Sequence, residues 1–295
     1  MNRRDFLRTA ALAAASSPLS FSSTWSDEKR PGVTWPIGCF NRPWANWDFD
    51  TTLDGIKAAG FRLVGLLSRT KEEPFIGSEA SGEYLHRLRK RIQARGLTTN
   101  MAAIHTRHDI PPEESIRDLQ KQVDNAQLLS LQYLMTFGVD DPAQFDPYYR
   151  LMAEIAAYAD QSGIQVVLKP HGGVSLASKE ILRCLDAINH RNFKVWYDAG
   201  NIIYYSGQDP TKELEPLTRH ITGFCAKDCD RPNGDVMIQF GTGKVDFKRI
   251  LARLKAGGFD GPVMVECCAP GPTPQAVTAN AKANRSFLEK ILATL

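Results

Sequence analysis

The chain has 295 residues, 43% of them apolar, enough to bury one large core or two modest ones. Its formal net charge is +3; Arg3, Arg4, Arg8 and Asp5 together carry a net two of those charges, so the remainder is near neutral. Lysines and arginines are scattered, apart from the run His86 to Arg91, which reads as a solvated helix face, and this balance excludes nucleic acid as a partner on charge grounds.

In chain order, residues 1–26 read as an export signal with its linker. Asn2-Arg3-Arg4-Asp5-Phe6-Leu7-Arg8 precedes a short apolar stretch at 9–15 and then Ser16-Ser17-Pro18. That stretch is too short to span a bilayer. Twin arginines followed by Phe-Leu look like a Tat signal, implying the Tat export machinery as a partner and a periplasmic or exported destination. No later segment is long and apolar enough to be a membrane helix.

From 27 to 295 strand and helix patterns alternate. Strands are predicted at 35–40, 62–67, 98–104, 133–139, 164–168, 193–197, 221–226 and 262–265. The matching helices are 50–59, 83–95, 111–129, 143–161, 179–188, 211–220, 247–256 and 275–293. Pro111-Pro112-Glu113-Glu114 places proline in the first turn of the third helix, where its missing N–H costs nothing. Eight βα units with right-handed crossovers predict a single-domain α/β fold, a closed (β/α)8 TIM barrel. No Gly-x-Gly-x-x-Gly follows the first strand, so no nucleotide cofactor is expected. The connections at 68–82 and 229–244 are long enough for binding loops. Within the second, Gly241-Thr242-Gly243-Lys244 reads either as a backbone cradle for phosphate or as a plain glycine-rich turn. The six cysteines (Cys39, Cys184, Cys225, Cys229, Cys267 and Cys268) lack zinc-site spacing and are expected to be buried and free.

Three apolar runs break into polar residues at their far ends: Leu168-Lys169-Pro170-His171-Gly172-Gly173, Tyr197-Asp198-Ala199-Gly200-Asn201 and Val265-Glu266-Cys267-Cys268. A strand covered on both faces stays apolar until it leaves the sheet, and barrel enzymes build their sites where strands end. LKPHGG, YDAGN, CAKD, GTGKVDF and MVEC, in that order, make the chain resemble the xylose-isomerase-like TIM barrels, the sugar phosphate isomerase and epimerase family. The resemblance implies a carboxylate after strand five, an aspartate after strand six, a histidine on strand seven and a glutamate on strand eight. These four hold a divalent ion (Mn, Mg or Zn) that acidifies the carbon beside a carbonyl. Asp198 and Glu266 match the aspartate and the last glutamate, as candidate metal ligands. Lys169 stands in place of the strand-five carboxylate and Cys225 in place of the histidine. A protonated lysine cannot ligate a metal and repels a dication.

Two arrangements therefore stay open. Lys169 replaces the ion between Asp198 and Glu266, or a shifted metal site uses Asp198, Glu266, His171 and either His105 or Cys225. The expected activity is that of a sugar isomerase or epimerase, removing a proton next to a carbonyl of a carbohydrate or keto-sugar. Glu266 is the acid/base, with Lys169 and His171 stabilising negative charge. His105, Lys227 and Trp44 are the candidate substrate contacts. A keto-sugar lyase, or a barrel that has lost its metal and only binds sugar, are the alternatives. Bland roles stand beside these: Asp198 as a turn cap, His171 as a backbone-bonded support, Lys227 paired with Asp228, and Trp44, Trp47, Tyr204 and Tyr205 as loop packing.

Overall fold

A computed structural model describes residues 32–74 and 76–295; the export-signal reading of residues 1–26 lies outside them. Eight short apolar runs form the parallel strands β1 (Ile37–Phe40), β2 (Leu63–Leu66), β3 (Thr98–Ala103), β4 (Tyr133–Thr136), β5 (Gln165–Leu168), β6 (Phe193–Tyr197), β7 (Ile221–Ala226) and β8 (Val263–Val265). Each pairs with its sequence neighbours, and β8 pairs with β1, so the expected single eight-stranded barrel is what the described residues form. Around it lie α1 (Phe49–Ala58), α2 (Gly82–Ala94), α3 (Pro112–Leu128), α4 (Phe145–Asp160), α5 (Ser178–Ile188), the short α6 (Ala199–Asn201) and α7 (Pro210–Leu214), then α8 (Phe247–Ala256) and α9 (Pro274–Leu292). No helix among the described residues is long and apolar enough to cross a membrane.

Helix starts follow local chemistry. Asp48, Ser81, Asp246 and Thr273 precede α1, α2, α8 and α9, and each side chain accepts the N–H three residues on, satisfying a donor the helix cannot. Two expected elements are shorter than the sequence pattern implies. The helix expected at 211–220 stops at Leu214 and continues as a 3-10 turn over Glu215–His220, because Pro216 has no N–H for the α-helical bond. The fourth strand ends at Thr136 rather than 139: Gly138 adopts φ +83°, outside the strand region.

Side chains alternate across each strand. One set faces the helices and builds the main core. The other fills the barrel: Phe40, Met101, Met135, Val167, Trp196, Cys225 and Met264 form one fully buried cluster. Trp196 is the largest of these, and a Cβ at Gly223 on the neighbouring strand would lie 2.2 Å from its ring. The alternation also fixes what stands above this plug. Two residues beyond an interior position, the chain again points inward, at the carboxyl-terminal mouth. Met135 leads to Phe137, Val167 to Lys169, Trp196 to Asp198, Cys225 to Lys227 and Met264 to Glu266, and Arg42, which opens the 3-10 turn after β1, is the sixth mouth position.

Candidate active site

Five of those six mouth positions carry charge, and the side chains meet. Lys169 Nζ lies 3.0 Å from Asp198 Oδ2 and 2.6 Å from Glu266 Oε2. Lys227 Nζ spans the same two carboxylates, at 3.2 Å from Asp198 Oδ2 and 2.8 Å from Glu266 Oε1. The Arg42 guanidinium donates to Glu266 Oε1 at 2.8 Å. Both lysines and both carboxylates are almost wholly withdrawn from water, whereas Arg42 is 36% exposed. Burial alone would push the Glu266 carboxyl up; Lys169, Lys227 and Arg42 override it and hold the group well below its ordinary 4.5. Burial alone would likewise lower the Lys169 ammonium, and the facing Glu266 and Asp198 raise it above its ordinary 10.5. Lys169 is therefore no Schiff-base nucleophile, and Glu266 is a poor proton acceptor.

The backbone around the cluster is tightly specified. Asp198 does two jobs: Oδ1 accepts the Asn201 N–H at 2.8 Å, capping α6, while Oδ2 meets the ammonium pair. Asn201 Nδ2 donates to the Pro170 carbonyl at 2.6 Å, fixing the end of β5 to the turn after β6. The glycines after His171 are required because the loop after β4 passes across them. Gly173 has φ +46°, and a Cβ there would lie 2.0 Å from the Val139 carbonyl oxygen. Held by that turn, His171 stacks on Tyr205 with ring centroids 4.2 Å apart, and its Nε2 lies 2.5 Å from the phenol oxygen. Burial, and then the Lys169 charge, lower the His171 pKa below its ordinary 6.5, which favours the neutral imidazole.

These groups line a cavity of about 340 Å³ together with Leu67, Ser68, Phe137, Tyr204 and Val236. Lys169, His171, Lys227 and Glu266 are thus brought together, with Asp198 beneath them. His105 is not among them. It is exposed in a neighbouring cavity of about 530 Å³ at the ends of β2 and β3, which shares only Leu67 and Ser68 with the first. Trp44 is a correction: it is wholly buried behind the mouth, its ring against Gly55 of α1 and its Nε1 3.4 Å from Thr278 Oγ1 of α9, out of reach of any sugar. Of the remaining loop aromatics, Trp47 packs on the core, and Tyr204 and Tyr205 line the cavity. Arg42 was missed in the sequence, although it too is a charge placed just past an apolar strand end.

A divalent ion does not fit these residues. The carboxylate oxygens expected to hold it are taken by two ammonium groups at 2.6–3.2 Å, and a dication there would face both positive charges. Cys225 is a barrel-plug residue, with its thiol pushed up by burial, so it replaces no ligand. His171 Nε2 is taken by Tyr205. Among the described residues no group of three or more His, Cys, Asp or Glu side chains is placed to hold a metal.

The glycine-rich loop is also explained. Asp228, fully buried, accepts four backbone N–H groups: Cys229 at 2.9 Å, Gly241 at 2.9 Å, Gly243 at 3.0 Å and Val245 at 3.1 Å. The amides that read as a phosphate cradle are turned inward onto the protein's own carboxylate. Asp228 is thus spoken for by the loop, and Lys227 pairs across the barrel rather than with it.

Residues 53–291 match the family described as xylose isomerase-like TIM barrel. No curated protein matches the sequence. Among solved structures, a xylose isomerase-like TIM barrel protein from Mycobacterium smegmatis in complex with magnesium superposes with a TM-score of 0.71 at 16% identity, over 89% of this chain and 98% of that one. A D-allulose 3-epimerase from Methylomonas sp. gives 0.69 at 16%, over 88% and 99%. A probable 3-DHS dehydratase from Bacillus anthracis gives 0.68 at 16%, over 86% and 98%. At such identities these likenesses establish the fold alone.

Proposed function

The chain belongs to the xylose isomerase-like TIM barrel family, and from that premise we propose that it is a sugar isomerase or epimerase in which buried ammonium groups take the place of the divalent ion. The observation that carries this reading is the pair Lys169 and Lys227, each bridging Asp198 and Glu266 at the floor of the cavity. Lys227 donates to Glu266 Oε1 at 2.8 Å, and the other contacts of the two ammonium groups with the carboxylates are ion pairs; with three N–H donors on each ammonium, donors remain for a ligand oxygen. A carbonyl placed there would find fixed positive charge where its oxygen becomes an enolate, in a site that excludes most water.

The proton acceptor is the Tyr205–His171 pair rather than Glu266. The C–H bond beside the carbonyl breaks, and its proton goes to the Tyr205 oxygen as the phenol proton passes to His171 Nε2. The C–H electron pair forms the C=C bond of the enolate, and the carbonyl π pair moves onto oxygen, where the ammonium groups hold it. Delivery of a solvent proton to the opposite face of the same carbon, with His171 losing its proton to solvent, gives the epimer. Return of the proton to the former carbonyl carbon, with the neighbouring hydroxyl's proton passing to the enolate oxygen, gives the isomer. Glu266 and Asp198 position the two lysines, and Tyr204 offers a face to the ring. The same proposal has this chemistry outside the cytoplasm, a reading supported by the leader-like pattern of residues 1–26.

Solvent deuterium incorporation into a panel of ketoses and keto-sugars, followed by NMR with chelator present, tests it. Exchange should persist under chelation and fall by about 10²-fold or more in His171→Asn. Elimination from the same enolate would show as a new unsaturated product. Absence of exchange across the panel, or exchange that requires stoichiometric metal in the elemental analysis, overturns the reading. Metal retained by Lys169→Glu but not by the natural chain would support it.

A further inference from the structure

We infer that the substrate is an acidic sugar of single-ring size, a hexuronate or keto-aldonate, whose carboxylate is bound by Arg42 beside the two lysines that face its carbonyl. This rests on the proposed site being the substrate pocket and goes further in naming the substrate class. The argument is a count of charge. Arg42, Lys169 and Lys227 supply three cations, and Asp198 and Glu266 supply two anions, all within 2.6–3.2 Å contacts. One positive charge is left unbalanced at the floor of a cavity whose lysines are 2% and 3% exposed.

Nearby protein groups do not supply the missing anion. Asp235 lines the same cavity and Asp140 lies against Gly172, but both are exposed at the rim, where water screens them. Asp228 spends its carboxylate on four backbone amides. His171 is turned to Tyr205 and Cys225 and Cys267 are buried thiols. A cluster with three cations on two carboxylates, one of the cations open to the cavity, favours a ligand that brings a negative group.

Donor geometry agrees. Arg42 lines the cavity and makes one side-chain hydrogen bond among the described residues, from NH1 to Glu266, out of five N–H donors. A planar carboxylate takes two parallel N–H bonds from a guanidinium, and a neutral hydroxyl does not. Arg42 is the member of the cluster that is partly exposed, at 36%, so it meets an entering ligand first. The ring then extends over Tyr204 and Tyr205, with its carbonyl at the lysines.

Isothermal titration of the full chain with D-glucuronate, D-galacturonate and D-gluconate, against D-glucose, D-galactose and D-xylose, reads the inference directly. The acids should bind at least about tenfold tighter than their neutral partners, since a hydrogen bond to a charged group outweighs a neutral one. Arg42→Gln should remove that preference while leaving the thermal midpoint of the free protein close to unchanged, because Glu266 keeps both lysines. Lys282→Gln, an equal charge loss at an exposed site on α9, should keep the preference. Equal affinity for acids and neutral sugars, no binding of any acid at millimolar concentration, or a preference that survives Arg42→Gln overturns it. The two readings fail separately. Deuterium exchange on neutral keto-sugars without acid preference sinks this one alone, and acid binding without exchange on any substrate sinks the proposed chemistry alone.

Discussion

Lys169 shows how far a single residue can be read before the chain is folded. Its position after an apolar run marked a strand end, and its charge argued against an ion between Asp198 and Glu266; the structure places it between those two carboxylates. Which cations share the cluster was not legible, because contacts such as Arg42 to Glu266 join residues 224 apart and exist only once β8 closes on β1. Trp44 fails for the same reason: its burial is made by α9, 234 residues away. The charge count predicts an asymmetry. Glu266→Gln leaves three cations facing Asp198 alone and should cost about 3–5 kcal/mol. Lys169→Met leaves two cations on two carboxylates and should cost about 1–2 kcal/mol. Urea midpoints of the two variants check this, and equal losses would show that the cluster carries no excess positive charge.

The loop after β7 is the element whose sequence signal left two readings open. Gly-Thr-Gly-Lys has the composition of an anion cradle, and it does surround an anion, but the anion is Asp228 from the end of β7. Composition alone cannot distinguish an internal carboxylate from an external phosphate, since both want the same backbone amides. Asp228→Ala orphans the buried N–H groups of Cys229 and Val245 and the part-buried ones of Gly241 and Gly243, and should lower stability by about 2–3 kcal/mol. Cleavage by protease within residues 229–244 should accelerate with it. Asp228→Asn keeps one acceptor oxygen and should fall between. A loop equally resistant in all three proteins would show that Asp228 does not hold it.

For the molecule as a whole, strand and helix alternation was enough to predict the barrel, since two periodicities repeated eight times admit few topologies. Boundaries failed where one residue overrode the pattern, at Pro216 and Gly138. Global stability inherits the site's ionisation. His171 has a folded pKa below its ordinary 6.5, as does His220, so their contribution is complete above pH 6.5 and is lost as pH falls through the folded values. Glu266, also depressed, contributes fully above 4.5 and loses that contribution only as pH falls well below it. Lys169, raised, contributes fully below 10.5 and is lost as pH rises beyond it. Thermal midpoints should therefore begin to fall below about pH 6.5, with a steeper drop below about pH 4.5. His171→Asn should flatten the first part of that fall; a profile identical to the natural chain's would remove His171 from it.

The five charges at the mouth also respond to heat differently from the plug of Phe40, Trp196 and Met264 beneath them. Hydration of ions becomes less favourable as temperature rises, so the cost of keeping Lys169, Lys227, Asp198 and Glu266 out of water shrinks, while apolar burial levels off. Warmth thus tightens the mouth relative to the barrel under it. The charged mouth therefore loses less of its net stabilisation on warming than the apolar plug beneath it.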